Sequence, residues 1–249
     1  MAQRERSVEV VRSMRRPCYR RPMKSTGLLG GSFNPGHRGH RHVSLEAISR
    51  LGLDEVWWLV SPGNPLKEDQ GMAPFEARFV SAHRAARLGP LKVTALERDL
   101  GTRYTIDTLR KLVRRYPKRR FLWLMGADNL AEFHRWRNWR EIARMVPIAV
   151  VTRPGYHGRA LTAPAMGWLR RFVRPAAEVR QWTGWRLPAI VLLSVPPDPT
   201  SATAIRAADP QWHETVMKSF NPEAIRDGVT RKPLSGRRPF ARTRTRSAH

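Results

Sequence analysis

The chain has 249 residues, 41% of them hydrophobic and nine of them tryptophan, which is enough for one well-buried domain and excludes a disordered polymer. Its one cysteine, Cys18, excludes an internal disulfide and a cysteine-based zinc site, and points to a reducing cytoplasm. The formal net charge of +26 invites a polyanionic partner, but residues 1–24 and 222–249 each carry eight basic residues against two acidic ones, so much of the excess sits at the two ends.

Both ends read as solvated basic arms with little order, giving an extension over residues 1–24, a domain over 25–221 and a tail over 222–249. Met23 is an alternative start to Met1. No stretch approaches the roughly 20 apolar residues of a membrane span, and no apolar core follows the first arginines as in a secretory signal.

Between the arms, apolar runs of strand length alternate with longer amphipathic stretches, the pattern of an α/β protein with a parallel sheet. STGLLG leads into a helix over 40–51, and VWWLV (56–60) leads through a Pro/Gly loop into a helix over 75–88. LKVTALE (91–97) reads as a third strand before a helix over 104–115. FLWLM (121–125), IAVVT (148–152) and AIVLLSV (189–195) complete about six strands, and the segment 155–188, rich in Arg, Pro and Trp, reads as a small helical excursion. The expectation is a Rossmann-like, doubly wound parallel sheet. In such sheets ligands sit beyond the carboxyl ends of the strands. The first loop, SPGNPLKED, GTRYTIDT, GADNLAEFHRW, TRPGY and PTSATAIR all fall at that end.

The first of these loops, GLLGGSFNPGHRGH (27–40), is the most informative. Gly30 and Gly31 let the backbone turn tightly and a ligand approach without meeting a Cβ. It is neither a Walker A loop nor GxGxxG. His37 and His40 stand at a predicted helix start, where unpaired amides and the helix dipole favour an anion, and their i, i+3 spacing puts both rings on one face with Gly39 between them. Imidazoles so placed can donate hydrogen bonds to phosphate oxygens that gain charge during nucleotidyl transfer. Capping and solvating the helix start is the plainer alternative. Metal ligation is disfavoured, because two histidines without an acidic or thiol partner in register make a poor ligand set.

GGSFNPGHRGH resembles the GG[ST]F[DN]PxHxGH signature of the nucleotidylyltransferase superfamily, and TSATAIR (200–206) resembles its second motif, ISxTxIR, with Thr200 in place of Ile. YTIDTL, GADNLAEFHRW and TRPGY are similar to segments of the bacterial nicotinate-nucleotide adenylyltransferase family, over a span from Gly27 to Phe220. Asn34, Gly36 and NPLK (64–67) depart from the commoner residues.

The resemblance implies transfer of the adenylyl group of ATP to nicotinate mononucleotide, giving nicotinate adenine dinucleotide and pyrophosphate, with a Mg²⁺ ion held mainly by the phosphates and no metal site on the protein. It makes His37 and His40 the catalytic pair. Gly30, Gly31, Ser32 and Phe33 would form the floor under the nucleotides, Gly126 and Asp128 would meet adenosine, and Ser201 and Arg206 the β- and γ-phosphates. Tyr104, Thr105 and the ring-stacking Trp136 would take the nicotinate end, Arg153 the mononucleotide phosphate, and Lys67 a further substrate contact. Thr105 is also a candidate helix cap, as is Asp128. The competing readings are a sibling transferase acting on nicotinamide mononucleotide or phosphopantetheine, and a nucleic-acid-binding protein on an inactive transferase fold, for which the basic arms speak. Homo-oligomerisation stays open.

Overall fold

A computed structural model describes residues 23–63, 71–87, 89–152, 160–196, 198–221 and 224–234. Six parallel strands form one sheet: β1 (Lys24–Gly31), β2 (Glu55–Val60), β3 (Leu91–Thr94), β4 (Arg119–Gly126), β5 (Ile148–Thr152) and β6 (Ile190–Ser194). Their order is β3-β2-β1-β4-β5-β6. The chain reverses direction across the sheet between β1 and β4, and the crevice beyond their carboxyl ends is where such folds bind ligands. The expected doubly wound α/β architecture is what the chain adopts.

The strands are near-continuous apolar runs because both faces are covered. Alternate residues serve opposite cores: Leu29, Trp58 and Leu124 pack on the side of helices α1 (Arg38–Leu51) and α2 (Phe75–Ala86). Leu28, Trp57 and Trp123 pack on the side of α4 (Thr105–Arg115), beyond the one-turn α3 (Leu96–Asp99). Every residue of β2 is buried, including Glu55, whose carboxylate accepts from Trp57 Nε1 at 2.6 Å and pairs with Arg119.

Predicted and observed strands agree except in LKVTALE. Its second half leaves the sheet and turns into α3, carrying Glu97 under the cavity described below. Thr105 is the first residue of α4 and Tyr104 its cap position, without a side-chain cap bond, so Thr105 does not cap. The excursion after β5 is indeed helical where described, with short helical turns over Met166–Leu169, Arg170–Phe172 and Ala176–Gly184.

The ordered body reaches beyond the expected boundary at 221. Residues 224–234 close on the sheet edge at β3. Asp227, fully buried, accepts from Thr94 Oγ1 at 3.0 Å and from Ala95 N at 2.8 Å, while Gly228 N donates to Val93 O at 2.8 Å. Gly228 must lie close, since a Cβ there would sit 3.0 Å from Val93 O. Leu234, 3% exposed, anchors the far end in the core. A buried carboxylate and a buried leucine thus tie residues 224–234, which the composition assigns to a basic tail, to the body of the sheet. Asp227→Ala is expected to lower unfolding free energy by about 3 kcal/mol in urea titration, by stranding buried donors. Truncation after residue 221 should cost at least as much.

Candidate active site

A cavity of about 820 Å³ opens at the carboxyl ends of β1 and β4. Its floor is glycine where the strands end. A Cβ on Gly30 would lie 2.8 Å from the Trp123 ring, so only glycine lets that indole fill the space under the switch point, whereas at Gly126 nothing stands within 4 Å and the surface is open. Phe33 takes the left-handed conformation (φ 49°), which is unfavourable for a bulky residue and marks a held turn. Its ring, buried, lies on Trp58 with centroids 5.1 Å apart and meets His40 at 4.8 Å.

Arg78 of α2 secures this turn from below. Its guanidinium donates to the carbonyls of Ser32 (2.7 Å), Ser61 (2.8 Å) and Ala73 (2.9 Å), joining the loops after β1 and β2. Asn34 uses both ends of its amide, donating to Gly71 O at 2.9 Å and accepting from Ala73 N at 3.2 Å. An aspartate, the commoner residue here, has no donor for the first contact. Gly36 fits against α2, where a Cβ would come within 2.5 Å of Ala82 Cα.

The two histidines form a cap of their own at the start of α1. His37 Nδ1 accepts from Gly39 N at 3.1 Å, and His40 Nδ1 accepts from His37 N at 3.3 Å. A nitrogen that accepts carries no proton, so each neutral ring holds its proton on Nε2, the edge turned away from the backbone. The ring centroids are 4.0 Å apart, and both rings line the cavity. Burial lowers both pKa values, that of His40 to about 3, with the neighbouring His37 adding to the effect. Capping and presentation of an N–H donor are thus one arrangement, and the pair enters neutral pH as two uncharged donors.

The second motif meets the first. Gly39 packs against the carbonyl of Thr200, where a Cβ would lie at 2.9 Å. Arg38 Nε and Asp198 pair at 3.0 Å, Asp198 also accepts from Thr200 N at 2.9 Å, and His42 Nε2 lies 2.8 Å from Pro196 O. Ser201 caps the helix Ala202–Ala208 by accepting from Ala204 N at 3.1 Å. Arg206 reaches back to Asn34 O at 2.6 Å. Ser201 and Arg206 stand beside the cavity, committed to these bonds, while Thr200 and Ala202 form its wall.

On the opposite side Tyr104, Thr105, Asp128 and Trp136 line the cavity, and Arg137 lies 4.8 Å over the Tyr104 ring. Trp136 is held edge-on by Trp123 (6.1 Å) and Phe133 (5.4 Å). Gly126 occupies the cap position of α5 (Ala127–Glu132), so Asp128 does not cap it; its carboxylate is exposed at the cavity wall. Ser32 joins the same lining. Lys67 and Arg153 lie outside the described residues.

Three residues here escaped the sequence reading. Arg78 carries no signal, one arginine among many in an amphipathic helix. Asp198 stands only three residues before Ser201 and was legible in principle. Glu97 hid in an apparent strand; buried in the cavity wall, it accepts from Thr108 Oγ1 at 3.2 Å, and burial raises its pKa to about 7.

Residues 28–208 match the family model described as Cytidylyltransferase-like. A protein of Erythrobacter litoralis named probable nicotinate-nucleotide adenylyltransferase is 58% identical over 213 residues, covering 86% of this chain and 95% of its own length. The chain belongs to this adenylyltransferase family. A second member of the same name, from Parvibaculum lavamentivorans, is 49% identical over 74% of this chain and 92% of its own. In fold, the adenylyltransferase body resembles the Plasmodium falciparum nicotinic acid mononucleotide adenylyltransferase complexed with NaAD, with a TM-score of 0.53, 15% identity, and coverage of 78% of this chain and 95% of the other.

The histidine pKa shifts set a sign for acid stability. The unfolded chain takes up a proton at about pH 6.5 that folded His40 refuses until about pH 3, so stability is whole above pH 6.5 and falls as pH drops toward 3. His40→Gln is expected to flatten the slope of unfolding free energy against pH across that window by up to about 1.4 kcal/mol per pH unit. Nitrogen-15 spectra of the ring should show the Nε2–H tautomer, unchanged down to pH 5.

Proposed function

We infer that the protein transfers the adenylyl group of ATP to nicotinate mononucleotide, forming nicotinate adenine dinucleotide and pyrophosphate, a step of NAD synthesis. The observation that carries this reading is the joining of the two motifs around one cavity, with a pair of neutral imidazole donors on its wall, in a chain whose relatives bear that name.

A phosphate oxygen of the mononucleotide attacks the α-phosphorus of ATP in line. The new P–O bond forms as the bond from the α-phosphorus to the bridging oxygen breaks, and the electron pair leaves with pyrophosphate. In our reading the Nε2–H groups of His37 and His40 donate to the oxygens on which charge gathers. Being already neutral and already fixed by the backbone, they need no reorganisation. Gly30, Gly31, Ser32 and Phe33 form the floor, with Gly126 and Asp128 toward adenosine. Ser201 and Arg206 brace the second motif, whose helix start faces the β- and γ-phosphates. Trp136 stacks on the pyridine ring and Tyr104 and Thr105 flank it, while Arg153 and Lys67 are the remaining candidates for the mononucleotide.

Among the described residues no three His, Cys, Asp or Glu side chains converge on a point. The cavity wall carries the two imidazole N–H donors and separate carboxylates such as Asp128 and Asp198; in our reading a Mg²⁺ ion would take its ligands chiefly from ATP and, when bound, would neutralise phosphate charge. Among the described residues no helix is long and apolar enough to cross a membrane. We place the activity in the cytoplasm, a reading supported by relatives named for a step of bacterial NAD synthesis.

The deciding assay supplies ATP, Mg²⁺ and either mononucleotide and measures pyrophosphate. The acid should be the better substrate, and no product from either would remove the assignment. His40→Ala should lower kcat by about 10²–10³, with a stability loss of only about 1 kcal/mol from the missing cap bond. Trp136→Ala should raise KM for the mononucleotide by about 5- to 150-fold, the equivalent of about 1–3 kcal/mol of stacking.

A further inference from the structure

Behind the histidine turn, on the side away from the cavity, lies a groove of about 630 Å³ between the start of α1, the end of α2 and the helices Ala202–Ala208 and Trp212–Lys218. Four arginines line it: Arg38, Arg41, Arg84 and Arg87. The one carboxylate among its described lining residues, Asp209, accepts from Gln211 N at 3.1 Å and forms no ion pair with them. Arg84 is engaged with Ser219, and Arg38 with Asp198. Arg41 and Arg87 have no such partner among the described residues, and Arg41 Nε is a buried donor with no hydrogen bond. A buried, unmatched guanidinium nitrogen is costly unless something accepts from it. Four guanidiniums around a single concavity also repel one another, a burden that a polyanion removes.

We propose that this groove is a second anion site, taking a chain of linked phosphates such as the tail of a nucleoside polyphosphate, with Arg41 and Arg87 as its main donors. The groove is several times larger than one phosphate group, and its cations come from two elements, Arg38 and Arg41 from the start of α1 and Arg84 and Arg87 from the end of α2, so an extended anion meets more of them than a single phosphate does. Arg38 connects the two sites. It lines the groove while its Nε holds Asp198, the carboxylate that fixes Thr200 in the cavity wall. An occupant that draws Arg38 toward the groove weakens this tie, so occupancy there bears on the cavity.

The test is calorimetric titration of the whole protein with inorganic tripolyphosphate, comparing it with the double variant Arg41→Gln, Arg87→Gln. The expected result is one fewer bound tripolyphosphate in the variant, with the cavity site retained. Identical isotherms would overturn the proposal. The basic arms are the same in both proteins, so their contribution cancels. A parallel titration with inorganic phosphate is expected to show groove binding at least about tenfold weaker; equal affinity would overturn the preference for a linked chain. Should the double variant fail to fold, Arg87→Glu at its exposed position carries the same comparison, with a loss of about tenfold or more expected. No turnover is read, so failure of the proposed adenylyl transfer leaves the result standing.

Discussion

Two backbone amides, those of His37 and Gly39, hold two imidazoles by their Nδ1 atoms, and the chemistry of the cavity follows from that constraint. The bonds choose the tautomer and fix the ring planes, and burial disfavours protonation. Freely rotating histidines 4.0 Å apart would alternate between charge states and orientations near neutral pH. Here helix initiation does the work that a separate set of supporting side chains performs in many sites. The same contacts that begin α1 prepare the donors, so the site is as rigid as the first turn of the helix.

That turn is in turn held at both ends of the chain's path. Arg78 draws the loop after β1 down onto α2, and Arg206, Arg38 and His42 fasten it to the exit from β6. The motifs are some 160 residues apart in sequence and adjacent in space because β1 and β6 end on the same edge of one parallel sheet. Glycine at the ends of β1 and β4 then clears the crevice between them. Trp123 fills the space beneath Gly30 and steadies Trp136 above.

Much of this was legible in the sequence, for identifiable reasons. Strands covered on both faces are continuous apolar runs, and their boundaries in IAVVT and VWWLV are sharp because the flanking residues are proline or polar: Pro147 and Arg153, Glu55 and Ser61. The glycine–histidine loop announced itself through residue types that have few uses in combination. What the sequence concealed were contacts made by ordinary residues. Arg78 differs from other arginines only in being buried, and Asp227 looked like part of a basic tail because composition averages over the one carboxylate that the sheet edge requires. Glu97 was misplaced because β-branched and apolar neighbours extend the appearance of a strand past the point where Thr94 ends it. The roles of Ser201 and Arg206 were read from a motif, whereas the bonds they make are a helix cap and a tie across the fold to Asn34.

The closure at β3 has a consequence for how the molecule is made. Thr94 waits for Asp227, 133 residues later, before its hydroxyl and the amide of Ala95 find their acceptor. Throughout most of translation the outermost strand therefore presents bare peptide groups along its rim, a template for pairing with another nascent chain. Ribosome-bound chains crowded on one messenger would be most vulnerable during that interval, and the docking of residues 224–234 is what ends it.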